Sequence, residues 1–327
     1  MKYFIRKLGF YLVALWGAVT INFFLPRLIP GNPAEALMSR MALNGSAPPG
    51  EYKILLRLFG LDKGNIVTQY WSYLVQISHF NFGVSATQFP TPVTSIIYHS
   101  LPWTLMLIGT STVLSFVIGT GLGALAGWKR NRFLDAIVPA TTFLTATPYF
   151  WLALLFLYFF GVINHFFPLN GAYDPTLNPT WNWTFVSSAI QHAFLPGLTL
   201  VVAQLGGWLL SMRNMTLTTL SEDFVWTAEA KGIAPRRILL GYAARNAILP
   251  SVTGFAISLG FVVSGSIVME MVFSYQGIGY QLLQAVQGDD YSLMQGIFFF
   301  ISLAVLLANL MVDLLYGFID PRTRQAR

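Results

Sequence analysis

Four histidines, His79, His99, His165 and His192, and thirteen carboxylates are the side chains from which a catalytic or metal site would have to be built. No two histidines stand at a ligand spacing, so none is set to share a metal from one helix or turn. Cysteine is absent, which removes disulfides, thiolate metal sites and a thiol nucleophile. The chain has no Gly-x-Ser-x-Gly elbow, no His-Glu-x-x-His pair and no Gly-x-x-x-x-Gly-Lys-Ser/Thr phosphate cradle, so hydrolase and nucleotide chemistry lack their usual scaffolds. Two carboxylates fall inside apolar stretches, Glu270 and Asp313, where an ionised group is costly unless it faces protein, water or the interface. No relay of acids or histidines joins them, which argues against a proton-coupled carrier. What remains is mechanical: the polar run Asp223-Phe-Val-Trp-Thr-Ala-Glu-Ala-Lys-Gly232, set between two apolar spans and followed by Arg236, Arg237, Arg245 and Ile248-Leu249-Pro250.

That run predicts two short helices joined by a bend. Ser221 or Asp223 can cap a helix through Trp226 and Ala230. Gly232 is suited to end it, because glycine accepts a left-handed backbone at little cost. Pro235 fits the first turn of a second helix that runs through Arg236 to Ala244. The product is a compact knob that a partner's groove can grip, with Arg236, Arg237 and Arg245 facing either acidic residues of that partner or anionic lipid headgroups.

The elements that position the knob are membrane spans. With 55% apolar and 10% charged residues and a mean hydropathy of +0.59, the chain lies far from the roughly 25% charged composition of soluble domains. Six stretches are long enough to cross a bilayer, at about Leu8–Leu25, Leu105–Trp128, Ile137–Val162, Leu195–Met212, Val252–Phe273 and Leu293–Phe318. The first has a basic start but ends in Phe24-Leu-Pro-Arg27 without a small-residue cleavage site, so it reads as a retained helix. The net charge of +6 sits mostly at span ends, the signature of topology rather than of nucleic-acid binding. Lysines and arginines concentrate at Lys2, Arg6, Lys7, Lys129, Arg130, Arg132, Arg213, Lys231, Arg236, Arg237, Arg245, Arg322, Arg324 and Arg327, which places both termini and the knob on the cytoplasmic side.

The expected organisation is a first transmembrane helix at 1–29, an extracytoplasmic lobe at 30–103 and a core of five further spans at 104–327, with the knob inside 213–250. The lobe is too polar to span and too long for a bare loop. Ile54–Leu58 and Val67–Ile77 have helical apolar spacing, and Gly83, Pro90 and Pro92 break the chain before a helix that feeds the second span. A second outer loop, Asn164–His192, carries Tyr173, Trp181 and Trp183, aromatics that suit the lipid interface or a docking protein. In the second span Gly119, Gly123 and Gly127 share one stripe, which permits close helix packing.

The motif residues also carry a family likeness. Asp223-Phe-Val-Trp-Thr-Ala-Glu-Ala-Lys-Gly232 with Arg245-Asn-Ala-Ile-Leu-Pro250 resembles the coupling loop of binding-protein-dependent ABC importer permeases, in particular the first permease of the oligopeptide/dipeptide group. The likeness extends to Pro30-Gly-Asn-Pro33, Phe59-Gly-Leu-Asp62, Gln69-Tyr70, Phe82-Gly-Val-Ser85 and Leu101-Pro102 in the lobe. It continues in Glu270-Met-Val-Phe-Ser274, Gly277-Ile-Gly279, Asp290-Tyr291, Gln295-Gly296, Val312–Tyr316 and Asp320-Pro-Arg322. Trp226 and Thr227 depart from the wider family's Glu-Ala pair, Asn32 replaces an aspartate and Gln276 a proline.

This resemblance implies an all-α, six-helix permease fold of the type I importer kind, working by alternating access. The implied partners are two ABC ATPase subunits, a second homologous permease, an extracytoplasmic solute-binding protein and the lipid bilayer. This chain itself would bind no cofactor, ATP and Mg being held by the ATPases. Asp223, Thr227, Ala228, Ala230, Lys231, Gly232, Arg236 and Arg245 would form the coupling surface, and Glu270, Phe273 and Ser274 are the candidates for pore or gate. The implied cargo is a peptide, with oligosaccharide or nickel as alternatives. A stand-alone carrier or channel, or a membrane enzyme, are the rival classes. A channel would work without ATPase subunits, and an enzyme would need a buried polar constellation that the sequence does not display.

Overall fold

A computed structural model describes residues 2–28, 33–43, 51–58, 64–128 and 132–319. In chain order its helices are α1 (Lys2–Leu28), α2 (Pro33–Leu43), α3 (Glu51–Leu58), α4 (Ile66–Ser78), α5 (Val93–Thr104), α6 (Thr110–Trp128), α7 (Arg132–Ala146), α8 (Tyr149–Phe156) and α9 (Trp183–Leu220). They continue as α10 (Asp223–Ala230), α11 (Pro235–Ile238), α12 (Ala244–Ala247), α13 (Leu249–Phe261), α14 (Ile267–Val272), α15 (Ile278–Gln287) and α16 (Tyr291–Ile319). Wider π-helical turns at Leu105–Gly109, Leu157–Ile163 and Leu239–Ala243 link neighbouring helices without breaking the backbone ladder. In a lipid solvent this is the expected economy, since each helix satisfies its backbone polar groups internally.

Four unbroken helices are long and apolar enough to cross a membrane: Arg6–Leu25, Val93–Trp128, Trp183–Leu220 and Tyr291–Met311. Two bent pairs, Ala136–Ala146 with Tyr149–Ile163 and Pro235–Ala247 with Leu249–Ser264, bring the number to six when each pair is taken as one span. The first bend, of 100°, divides the expected third span Ile137–Val162, and the second, of 50°, falls between the expected second knob helix and the fifth span. At the first, Pro148 has no amide to donate and steers Thr147 away from helical geometry. The expected fifth span, Val252–Phe273, is shorter than its apolar composition suggests. It ends in a 3-10 turn at Val262–Ser264, Gly265 takes a left-handed φ of 71°, and Glu270 belongs to the separate helix α14.

The chain forms two compact units. The first comprises Met1–Thr104, Val263–Ile267 and Gln276–Arg327. Within it α1 packs against α16, and the core gathers Phe23, Tyr73, Phe82, Ile97, Ile278, Leu282, Leu293 and Ile297. Ile54–Leu58 and Val67–Ile77, expected to be helical, fall inside α3 and α4. Asp290 is fully buried yet well held: Oδ2 accepts from Ser85 Oγ, from Thr87 N at 2.9 Å and from Thr87 Oγ1 at 2.9 Å, while Oδ1 accepts from Leu293 N at 3.0 Å. One carboxylate thus caps α16 and clasps the 85–87 turn. Thr104 Oγ1 likewise accepts from Ile278 N, the first amide of α15, at 2.7 Å.

The second unit comprises Leu105–Val262 and Val268–Tyr275 and is organised around α9. The glycine stripe of α6 lies directly on it. An added Cβ would stand 2.6 Å from Trp208 Cβ at Gly119, 2.5 Å from the Leu209 carbonyl oxygen at Gly123 and 2.7 Å from Thr216 Cβ at Gly127. Gly206 of α9 meets α7 in the same way, 2.5 Å from the Thr141 carbonyl oxygen. Backbones come this close only where one of the two facing residues lacks a side chain, which is how helices associate tightly in lipid. Phe116, Trp208 and Phe255 fill the junction of α6, α9 and α13, with Phe116 and Phe255 stacked at 4.3 Å. The outward faces stay apolar, as at Val113, Leu114 and Val117 of α6, which suits acyl chains rather than water.

Candidate functional site

The predicted knob is present in the second unit, and its two helices are tied by a specific cap. α10 ends with Lys231 at the C-cap position and Gly232 beyond it at φ 68°. Gly232 N donates to Glu229 O at 2.9 Å and Ile233 N donates to Ala228 O at 3.2 Å, the paired bonds of a Schellman motif. Its hydrophobic contact is also made, because Ile233 packs on the cluster of Val225, Ala228 and Ile238. Pro235 then opens α11 at its first position, as expected.

Val225, Ala228 and Ile238 are each no more than 3% exposed, and Trp128 from the end of α6, Leu220 from the end of α9 and Tyr242 close the cluster around them. Burying Val225 and Ile238 contributes about 1.5–3 kcal/mol each relative to exposure. The knob is therefore set on the ends of α6 and α9 by its own small core. Sequence reasoning missed Val225, Ile238 and Trp128. The signal available for the first was the apolar pair Val225 and Ala228 three residues apart, one stripe of a helix.

Opposite that stripe, Asp223, Trp226, Thr227 and Ala230 share the exposed face of α10. Thr227 Oγ1 donates to the Asp223 carbonyl at 2.8 Å, leaving the Asp223 carboxylate at the surface near the helix start, where the helix dipole favours negative charge. Lys231, Arg236, Arg237 and Arg245 are also exposed. Of the expected coupling residues, only Ala228 points inward, so it packs the knob rather than presenting it. The continuation through Leu239–Ala243 and α12 buries Ala243 and Ala247 completely, and the helix turns again at Leu249–Pro250.

Glu270, Phe273 and Ser274 lie elsewhere in the same unit. α14 closes with a second Schellman pair, Ser274 N to Met271 O at 3.1 Å and Tyr275 N to Glu270 O at 2.7 Å, but here the left-handed residue is Ser274 at φ 46°. Gly171 N donates to the Phe273 carbonyl at 2.9 Å, which fastens the loop before α9 onto this turn. That loop folds back so that Gly171 lies beside His192 of α9, and the knob follows Leu220, so the two sets stand apart by the His192–Leu220 part of that helix, roughly 42 Å at 1.5 Å per residue. Glu270 and Phe273 are buried, Ser274 is exposed. Burial first, and the Glu270 carboxyl second, push the Tyr275 phenol up, so it stays protonated.

His79 and His192 each place Nδ1 at 2.8 Å from a carbonyl one turn back in the chain, where the ring must donate. Trp181 and Trp183 are highly exposed, at 96% and 79%. Motif residues 30–32, 59–62 and 320–322, and the side chain of Asp313, lie outside the described residues.

Apolar helices long enough to span, a close-packed pair α6–α9 and a knob mounted on their ends define a polytopic membrane protein. The chain belongs to the family described as binding-protein-dependent transport system inner membrane component, which matches residues 119–325. It is a permease subunit. Over the whole of both chains it is 29% identical to the di/tripeptide transport system permease protein DppB of Pseudomonas aeruginosa. It is also 29% identical to the oligopeptide transport system permease protein AppB of Bacillus subtilis, covering 98% of each, and 33% identical to the probable D,D-dipeptide transport system permease protein DdpB of Escherichia coli, covering 94% of this chain and 92% of that one.

Proposed function

We propose that this chain forms half of the translocation pore of an ATP-driven importer of di- or oligopeptides. Its partners in this reading are a second homologous permease, two ATPase subunits that hold ATP and Mg, and an extracytoplasmic solute-binding protein that delivers the cargo. The knob at 213–250 and both termini face the cytoplasm, where the concentration of lysine and arginine at span ends favours them. The peptide cargo rests on end-to-end similarity to permeases named for peptides.

The observation that carries the proposal is the knob's construction. A lever must transmit displacement without deforming, and a helix pair closed by a Schellman cap over a private core does so, while Asp223, Trp226, Thr227 and Ala230 remain outside it for contact. Lys231, Arg236 and Arg245 add positive charge suited to acidic residues on an ATPase. Movement of the knob is passed to α6 and α9 through Trp128 and Leu220. On the far side, the turn at Glu270, Phe273 and Ser274 would border the path and respond to that movement.

The test is to tag the chain, extract it in mild detergent and identify what co-purifies by mass spectrometry. Two P-loop ATPases and a second permease are expected. Recovery of this chain alone, as a homo-oligomer that transports without ATP, would sink the proposal.

A further inference from the structure

The first unit contains a polar cavity of about 50 Å³ where the end of α1 meets α4 and the start of α16. Among its described lining residues Arg27 carries the only formal charge. Arg27 lies over the Phe23 ring at 3.7 Å and donates one N–H to the Phe23 carbonyl at 2.7 Å. A guanidinium has five N–H donors, so four remain beyond that bond. The Tyr73 hydroxyl, on a side chain only 9% exposed, and Gln295 Nε2 are buried without a hydrogen-bond partner among the described residues. Gln69, Ser72, Gln76, Asn81 and Ser292 add neutral amides and hydroxyls to the wall. None of the described lining residues is acidic, and no carboxylate among the described residues pairs with Arg27. Asp290 lies nearby in sequence, but its carboxylate is occupied by Ser85, Thr87 and Leu293 and does not line the cavity.

A buried donor without an acceptor is costly, and here several donors converge around one cation. Burial raises the Tyr73 phenol well above its usual range, so it remains a donor at any physiological pH. Cation–π contact and the Phe23 bond fix the guanidinium before any ligand arrives, which lowers the entropy lost on binding. Arg27 stands two residues beyond the apolar stretch Arg6–Leu25, at the depth of lipid headgroups.

We propose that the Arg27–Tyr73–Gln295 cavity is an oxyanion site, taking one carboxylate or phosphate group either from a small solute or from a phospholipid headgroup. The volume admits a single such group and excludes a whole peptide. The site is independent of the transport reading above.

The experiment uses the full chain purified in a neutral detergent. Its melting temperature is followed against sodium phosphate and sodium acetate, with chloride at matched ionic strength as reference, and retained lipid is read by native mass spectrometry. A free-anion site gives a saturable rise in melting temperature that Arg27→Gln abolishes. A headgroup site gives no such rise but one anionic phospholipid retained per parent chain and lost in Arg27→Gln. Tyr73→Phe, which keeps the ring and removes one donor, weakens either form of binding by about five- to tenfold. The proposal is overturned if parent and Arg27→Gln respond alike to both probes, or if Tyr73→Phe binds as tightly as the parent.

Discussion

Two helix ends in this chain use the same cap with different residues, and the comparison isolates what glycine contributes. Gly232 sits at φ 68° with nothing within 4 Å of an added Cβ, so a side chain there meets a backbone penalty rather than a clash. Gly232→Val should cost the knob about 1–2 kcal/mol, because a β-branched residue tolerates the left-handed region poorly. The expected result is normal membrane insertion with ATP hydrolysis uncoupled from transport, measured side by side in proteoliposomes; undiminished transport in that variant would refute the lever. Gly232→Asn, which accepts this conformation, should keep most activity. Ser274 takes the reverse change: Ser274→Gly relieves a strained φ of 46° and should stabilise the subunit by about 0.5–1 kcal/mol in thermal melts. If Ser274 borders the cargo path, transport falls even as stability rises. Gly232 and Pro235 were legible in the sequence because turn chemistry is local. The Asp290 clasp and the meeting of Arg27 with Tyr73 in one cavity were not, since each brings together residues far apart along the chain.

Among the helices, packing separates glycines that look alike in sequence. Gly123 lies against the Leu209 carbonyl and Gly121 faces open space. Gly123→Ala should force α6 away from α9 and cost about 1–3 kcal/mol. Gly121→Ala should be neutral, or stabilising by up to about 1 kcal/mol through helix propensity. Thermal unfolding of both variants in one detergent checks the contrast, and equal effects would contradict the contact. Six apolar stretches were legible because composition reports burial in lipid directly. The bend at Pro148 and the break at Gly265 were not, because hydropathy averages over residues whose backbone geometry breaks the helix: the stretch around Val263–Val272 stays apolar across a left-handed glycine. The π-helical turns are equally silent, having no compositional mark.

Taken as a whole, the molecule can be oriented by simple chemistry, since it has no native cysteine to confuse a label. Thr180 and Ser221 are exposed and flank the ends of α9. With α9 crossing the membrane and the knob inside, Thr180→Cys should react with an impermeant maleimide on intact cells, and Ser221→Cys only after permeabilisation. The opposite pattern would invert the topology proposed above. The first unit carries a different implication. Its core is drawn from the first hundred or so residues and the last fifty, with α1 against α16 and the Ser85–Thr87 turn held by Asp290. A ribosome adding some 5–20 residues per second delivers the closing helix on the order of ten seconds or more after the lobe has emerged. Throughout that interval Phe23, Tyr73, Phe82 and Ile97 lack their final neighbours, so the newborn lobe must be shielded by lipid, chaperone or insertase, and messages truncated before codon 290 should yield chains that are cleared by proteolysis.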